Sequence, residues 1–340
     1  MNSEVQTTPR VMKESKNKIK VDFERTPLKE RLKAKFLTAT FAKNLAVTIF
    51  KYVLLIGISY VILYPFFAKI TGSFMSKEDF VDVTVKLIPK YPTLDTYKAI
   101  LTQNKYGTAF VNTLSLSLVC ALIQTFVACL IGYGLAKFKF KGNKIIFLLV
   151  IFTMVIPHRT LQLSMFMQFR YFDFFGIVEL ITGKPLNLLN SYWPLALLSI
   201  GGLAFKNGLF IFMMRQFFHG VPDELEESAY IDGSGVFRTF IQIILPLSVP
   251  MMITIFLFAF SWQWTDNFYT SVFFTETKTV LMPNIIKIPK TLDTLHAAQN
   301  LHESAVRNTC GLLILMPLVI MYLFLQKYLV GGIERSGIVG

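Results

Sequence analysis

The chain has few charged residues for its length. Aspartate, glutamate, lysine and arginine make up 16% of its 340 residues, whereas an average soluble domain has about 25%. Hydrophobic residues make up 53%, and phenylalanine alone occurs 33 times. A soluble fold of this length could not bury so much apolar surface, so the composition indicates an integral membrane protein.

The sequence also lacks the patterns that common enzymes use for chemistry. Its three cysteines form no CxxC pair, and its four histidines show no metal-ligand spacing. No phosphate-binding loop of the form G-x-x-x-x-G-K-S/T is present, because the one Gly-Lys-Pro, at Gly183–Pro185, lacks the serine or threonine. We therefore expect no catalytic residue, no metal and no cofactor in this chain.

Long uncharged stretches take up much of the sequence. A bilayer core of about 30 Å requires about 20 helical residues, and an open strand would leave backbone groups unpaired in lipid. We therefore predict an all-α polytopic fold with six transmembrane helices. The predicted spans are 44–69, 108–136, 145–169, 192–217, 244–265 and 309–328.

Basic residues predict the orientation of these spans. Residues 1–51 carry twelve basic and five acidic residues, and residues 137–144 carry four lysines and no acid. The positive-inside rule puts both segments in the cytoplasm, so we expect both termini there and a multi-pass protein in the cell membrane. The net charge of +13 then reflects topology, and we expect membrane lipid rather than nucleic acid as a partner.

The predicted organisation is a basic cytoplasmic arm at 1–43 followed by one six-span domain at 44–340. Within that domain, outer loops cover 70–107 and 266–308, and a cytoplasmic loop covers 218–243. Mixed charge and prolines in the first outer loop predict an ordered cap or short helices.

One cytoplasmic segment departs from the positive-inside pattern, since residues 220–246 carry five acids and one base. Pro222 suits the first turn of a helix, and acids follow it. Gly233 ends that helix, because glycine accepts the left-handed conformation. The pattern predicts a short helix, a sharp turn and a second helix, with Ser228 and Ala229 exposed; the alternative is a solvated amphipathic connector.

Seven positions in this segment carry a resemblance. They are Glu227, Ser228, Ala229, Gly233, Ile243, Leu245 and Pro246. Their spacing resembles the EAA motif of ATP-binding cassette importer permeases, with Ser228 in place of an alanine. The resemblance implies that residues 222–246, Asp232 included, couple the chain to a separate ATPase. It also implies that Glu227 pairs with a basic residue of that ATPase and that Gly233 permits close approach.

Four other segments resemble the carbohydrate branch of that family. They are residues 89–97, Asn112-Thr113, Arg215–Phe218 and 326–332. The resemblance covers roughly residues 45–340 and is closest to the second permease of maltose-type sugar importers. It implies a permease that forms half of the translocation path. The implied partners are a second homologous permease, two nucleotide-binding ATPase subunits that bind ATP and Mg, and an extracellular solute-binding protein.

The outer end of the fifth span offers candidate solute contacts. Sugar sites combine aromatic faces with planar polar side chains. Both kinds occur among Trp262, Gln263, Trp264, Asp266 and Asn267. The alternative is an aromatic belt at the membrane interface.

Two basic residues lie at predicted membrane depth, Lys206 in span four and Arg159 in span three. Charges at this depth are costly and usually face a cavity or a partner. We hypothesise that Lys206, with Arg159, faces the translocation path and favours an anionic saccharide such as a uronate. The alternatives are an ion pair with the partner permease and a kinked helix that reaches water.

Two other functions compete with sugar import. The first is a permease for another small solute, such as a polyamine, and the sugar-branch segments argue against it. The second is an ion-coupled secondary transporter, which would require inverted repeats and paired intramembrane acids. Neither feature occurs in the sequence.

Overall fold

The computed structural model describes residues 10–11, 21–22, 39–276, 279–293 and 297–337. These residues are helical or loop apart from two short pairings. Arg10–Val11 (β1) pairs antiparallel with Val21–Asp22 (β2), and Phe172 forms an isolated bridge with Leu186. The predicted helical class is therefore found. Most of the predicted arm at 1–43 lies outside the described residues.

Fourteen α-helices follow one another in the described part of the chain. They are α1 (Ala39–Gly72), α2 (Lys77–Val81), α3 (Asp95–Gln103), α4 (Tyr106–Lys137), α5 (Asn143–Val155), α6 (Gln162–Arg170), α7 (Ile177–Thr182), α8 (Trp193–Ile200), α9 (Asn207–His219), α10 (Glu224–Ile231), α11 (Val236–Thr239), α12 (Leu245–Trp264), α13 (Phe268–Phe273) and α14 (Gln299–Gly337). Short 3-10 helices cover His158–Leu161 and Met282–Ile285, and a π-helical turn covers Phe240–Ile244.

Four helical segments of the described residues are long and apolar enough to cross a membrane. They are Lys43–Gly72, Tyr106–Lys137, Val236–Trp264 and Gln299–Lys327. All four coincide with long neutral runs of the sequence, and they agree with predicted spans one, two, five and six. The chain divides into two compact units, residues 1–68 and 69–340, and the last three of these segments belong to the second unit.

The third predicted span, 145–169, is bent rather than straight. Helices α5 and α6 are long and apolar enough to cross a membrane only when they are taken together, and the angle between them is 93°. Pro157 lies in the break, and it disfavours the helical conformation of the residue before it. Ile156 accordingly has a ψ of 123°. The bend therefore follows from one proline inside an apolar run.

The fourth predicted span, 192–217, is interrupted. Helix α8 ends at Ile200 and α9 begins at Asn207. Between them Gly202 and Lys206 adopt left-handed φ values of +68° and +66°. The described residues thus contain four membrane-length helices, or five with the bent pair. Six spans therefore stay a prediction, because a count of apolar residues does not detect a break in the backbone such as the one before α9.

Helix α4 is central to the packing of the second unit, where it lies against α9 and α12. Most of its buried apolar residues share one cluster with Phe210, Met214 and Ile255 of those helices. A glycine makes the approach to α9 close, since a Cβ at Gly132 would lie 2.5 Å from the Cβ of Met214. The ends of α4 and α9 are therefore packed tightly together.

The first predicted outer loop is ordered and contains the short helices α2 and α3, as its sequence predicted. Ser76 and Asp79 form a capping box at the start of α2. The buried Asp79 carboxylate also accepts hydrogen bonds from the backbone N–H groups of Lys90 and Tyr91, at 3.1 and 3.2 Å. One carboxylate thus joins two parts of this loop.

Candidate coupling segment and solute path

Residues 222–246, called the coupling segment below, form the predicted short helix, turn and second helix. Helix α10 ends at Ile231, and Gly233 follows with a φ of +82°. The N–H of Gly233 donates to the Tyr230 carbonyl at 3.0 Å, and the N–H of Ser234 donates to the Ala229 carbonyl at 2.9 Å. These bonds satisfy carbonyls at the helix end and fix the turn.

The second helix of the coupling segment continues into the membrane-length helix. Helix α11, the π-helical turn and α12 follow one another without a break. Together they form one segment, Val236–Trp264, that is long and apolar enough to cross a membrane. Pro246 lies directly after the π-helical turn, where the regular α-helical hydrogen-bond pattern is already interrupted. A displacement of the turn at Gly233 would therefore act directly on a membrane helix.

The coupling residues divide between the surface and the interior. Glu227, Ser228, Asp232, Gly233 and Pro246 are exposed. Ile243 and Leu245 are half-buried. Ala229 is buried, so the prediction that it is exposed with Ser228 was wrong. On this short helix Ala229 lies on the inner face with Glu226, three residues before it.

The tip of the coupling segment exposes apolar side chains. Ile231 is 86% exposed, Phe237 is 75% exposed, and Val236 is 46% exposed. They lie on both sides of the turn at Gly233. Apolar groups exposed together in this way are typical of a protein–protein contact.

A buried polar cluster joins the coupling segment to the end of α4, and the sequence analysis missed it. The Lys137 ammonium donates to the Val221 carbonyl at 2.6 Å and to Asp223 Oδ1 at 2.5 Å. It lies 3.4 Å from Glu226 Oε2. The Tyr133 hydroxyl donates to Glu226 Oε1 at 2.6 Å. We name Tyr133, Lys137 and Glu226 the α4 clamp.

One electrostatic consequence appears at the exposed edge of this cluster. The hydrogen bond from Lys137 lowers the pKa of Asp223, and the Lys137 charge acts in the same direction. The sequence did carry a signal for the cluster. Lys137 is the first charge after a neutral run of 31 residues, 106–136, and Glu226 and Glu227 are neighbours that must face different ways on a helix.

Lys206 lies in the break between α8 and α9. Its ammonium is 5.1 Å from the ring centroid of Phe205 and 5.9 Å from that of Trp262, within the range of cation–π contact. The residue borders a cavity of about 90 Å³, together with Thr153 and His158. A cation, two aromatic rings and the first turn of α9 therefore meet at one place.

Arg159 does not share this cavity. It is exposed and lines a separate hollow with Phe166 and Val272. The neighbouring His158 faces Lys206 instead, and its Nδ1 lies 3.3 Å from the Tyr269 hydroxyl. Lys206 and Arg159 therefore border different cavities, because the bend at Pro157 turns His158 and Arg159 to different sides. That both basic residues face the solute path stays a prediction.

The predicted aromatic stretch also divides. Trp262, Gln263 and Asp266 border one small cavity, whereas Asn267 is exposed. Trp264 is fully buried, and its Nε1 donates to the Ile314 carbonyl at 2.9 Å. In this structure Trp264 is a core residue with no surface for a solute, so its assignment as a solute contact is corrected.

Asp266 has a structural contact of its own. Its carboxylate accepts hydrogen bonds from the N–H groups of Tyr269, at 3.2 Å, and Thr270, at 2.9 Å, at the start of α13. Burial raises the pKa of Asp266, and these hydrogen bonds act in the opposite direction. Among the residues that the structure describes, no three histidine, cysteine or acidic side chains are grouped as a metal site would require.

The long apolar helices and the helix–turn–helix that continues into one of them define a polytopic membrane protein of the transporter class. Residues 124–335 match the family described as the binding-protein-dependent transport system inner membrane component. This match includes the whole coupling segment. The chain therefore belongs to this family, which makes it a permease component rather than an enzyme.

Two relatives match most of the chain. The maltodextrin transport system permease protein MalD of Streptococcus pneumoniae is 30% identical over 292 residues, which cover 84% of this chain and 93% of the relative. The galactooligosaccharides transport system permease protein GanQ of Bacillus subtilis is 27% identical over 299 residues, which cover 86% of this chain and 95% of the relative.

A solved structure has a similar fold. It is a chain of a bacterial ABC transporter involved in the import of the acidic polysaccharide alginate. The TM-score is 0.63 at 20% sequence identity, and the match covers 84% of this chain and 97% of that chain. This likeness concerns the fold alone.

Proposed function

We propose that the chain is one permease subunit of an ATP-driven importer of oligosaccharides. The observation that carries the proposal is the exposed helix–turn–helix around Gly233, which continues into a membrane helix of a chain that belongs to the inner-membrane component family. The names of the relatives, for maltodextrin and galactooligosaccharides, support the solute class.

The coupling segment docks on a separate ATPase. Glu227 and Ser228 are exposed, as a docking residue must be, and the apolar tip at Ile231 and Phe237 is available to enter a cleft. ATP and Mg bind to two such ATPase subunits. A second homologous permease completes the path, and an extracellular solute-binding protein delivers the solute. Membership of a binding-protein-dependent family supports this set of partners.

The chain crosses the membrane six times, with both termini and the arm at 1–43 in the cytoplasm. The bent α5–α6 pair makes the third crossing, and α8 with α9 makes the fourth. Contact between Lys137 and Val221 supports this topology, because it requires the end of α4 and the coupling segment to lie on one side of the membrane. The loops at 70–107 and 266–308 then lie outside.

The solute path passes the break between α8 and α9. Lys206 presents its charge beside Phe205 and Trp262, and Gln263 borders the adjacent cavity. Aromatic faces and an amide suit a sugar, and the ammonium suits a carboxylate on an acidic saccharide. An ion pair between Lys206 and the second permease is the competing role.

Neither alternative function has comparable support. A polyamine is a cation, and Lys206 would repel it at the break. An ion-coupled transporter would have no use for the exposed coupling segment.

The test is charge reversal at the exposed face of the coupling segment. We expect Glu227→Lys to lower co-purification with the ATPase and uptake by at least about tenfold, a loss of about 1.4 kcal/mol. Gly233→Val should have a similar effect, since its φ of +82° strains a branched residue. Glu179→Lys makes the same charge change on the exposed surface of α7 and serves as the control. Full uptake by both coupling variants would refute the proposal.

A further inference from the structure

The α4 clamp has a property that neither docking nor topology requires. Its two charged side chains, Lys137 and Glu226, are each only 8% exposed. A lysine that only obeyed the positive-inside rule would remain in water, as Lys141 does a few residues later. Burial of a charge pair is costly unless its geometry is well satisfied. Here the carboxylate has two partners and the ammonium three.

The two adjacent glutamates of the coupling segment therefore have different surroundings. Glu227 faces outward, whereas Glu226 faces α4 and is buried. Glu226 has little exposed surface to offer a partner subunit. Its contacts are with Tyr133 and Lys137, one turn apart on α4. The coupling helix is thus attached to a membrane helix to which it is not joined in sequence.

Tyr133 extends this attachment to two more elements. Its ring centroid lies 4.7 Å from that of Phe240, in the π-helical turn, and 5.5 Å from that of Phe218, near the end of α9. Gly132, next to it, lies against Met214 of α9 with no room for a side chain. The end of α4, the end of α9 and α10 are consequently packed as one body.

We propose that the α4 clamp is a second force-transmitting attachment of the coupling segment. Through it the motion of the coupling helix reaches α4, to which it is not joined in sequence, in addition to α9 and α12, which precede and follow the coupling segment along the chain. The covalent route to α12 passes through the π-helical turn Phe240–Ile244, where the regular hydrogen-bond ladder is interrupted. Tyr133 and Lys137 are positioning residues in this proposal, which rests on the coupling function proposed above.

The first experiment separates coupling from assembly. The double variant Lys137→Met with Glu226→Gln leaves no buried unpaired charge, and Tyr133→Phe removes only a hydroxyl. We expect the full complex to assemble and hydrolyse ATP in both, with solute transported per ATP lowered at least fivefold in the double variant and at least twofold in Tyr133→Phe. Lys141→Met, an exposed lysine of the same loop, should leave that ratio unchanged.

If Tyr133→Phe leaves the solute transported per ATP unchanged, the clamp proposal is refuted, whether or not transport and hydrolysis both fall. This holds even if the double variant fails to assemble. Failure of the unmodified chain to assemble with an ATPase would instead overturn the proposed function, and the clamp with it. An unchanged ratio in an assembled complex would overturn the clamp alone.

The second experiment measures motion directly. Spin labels at Glu224, on the coupling helix, and Lys139, just after α4, report the distance across the clamp. In the otherwise unmodified complex we expect this distance to be the same in the resting and the ATP-trapped states, because the two elements move together. In the double variant it should change between the states. A change of equal size in the unmodified complex would contradict the proposal.

Discussion

At the scale of single residues, side chains that are adjacent in sequence have different surroundings in the fold. His158 and Arg159 are adjacent in sequence, yet only His158 borders the cavity at Lys206. Glu226 and Glu227 divide in the same way between the interior and the surface. Sequence alone could single out Lys206, because a charge inside a neutral run is conspicuous. It could not assign its neighbour, because that depends on the bend at Pro157.

A selectivity test follows at Lys206. We expect Lys206→Gln to lower the uptake of an acidic oligosaccharide at least about tenfold, or ~1.4 kcal/mol. Uptake of a neutral oligosaccharide of the same length should remain within about twofold, because the aromatic faces of Phe205 and Trp262 remain. Competition between the two labelled solutes in cells measures the ratio. Arg159→Gln is the matched control, since Arg159 lines a different hollow. An equal response of both solutes would exclude Lys206 as a selectivity residue.

At the scale of elements, what could be predicted depended on how each helix ends. Long neutral runs predicted α1, α4, α12 and α14. A helix pairs all the backbone N–H and C=O groups of a long apolar segment within that segment, as lipid requires. The turn at Gly233 was predicted from local rules, because proline, acids and glycine determine a short helix by themselves. The interruption before α9 was considered only as an alternative, the kinked helix at Lys206, because no local rule marks a lysine that adopts the left-handed conformation.

The packing of α4 on α9 gives an element-scale prediction. Alanine replaces helical glycine with a gain of about 1 kcal/mol when there is room for it. At Gly132 there is none, because the new Cβ would lie 2.5 Å from Met214 Cβ. We expect Gly132→Ala to destabilise the protein by about 1–3 kcal/mol, the usual cost of overpacking.

Gly134→Ala is the control on the same helix, since the nearest atom to its new Cβ is 4.0 Å away. Thermal unfolding of the purified protein in detergent checks both variants. Gly132→Ala should lower the Tm, and Gly134→Ala should leave it unchanged or raise it. Equal Tm values for the two variants would mean that α4 and α9 do not approach as closely as described.

At the scale of the whole molecule, the lengths of the helices and the pattern of the sequence give different numbers of membrane crossings. Four helices, or five with the bent pair, are long and apolar enough to cross a membrane in the described residues, whereas the uncharged stretches of the sequence predict six crossings. The two counts agree if α5–α6 and α8–α9 each cross the membrane as broken segments. Broken helices are expected where the backbone lines a path for a solute, because a cavity can satisfy the exposed backbone groups.

Cysteine labelling with a membrane-impermeant maleimide decides between these counts. The unmodified chain is its own control, since Cys120, Cys129 and Cys310 are buried. We expect Val83→Cys, in the exposed first outer loop, and Glu179→Cys, on exposed α7, to react in intact cells. Lys141→Cys should react only after permeabilisation. Of the membrane-length helices, α4 alone lies between Val83 and Lys141, so these two residues must lie on opposite sides of the membrane. Glu179 is the deciding position, because protection of Glu179→Cys in intact cells would mean that the bent pair re-enters the cytoplasmic face without crossing.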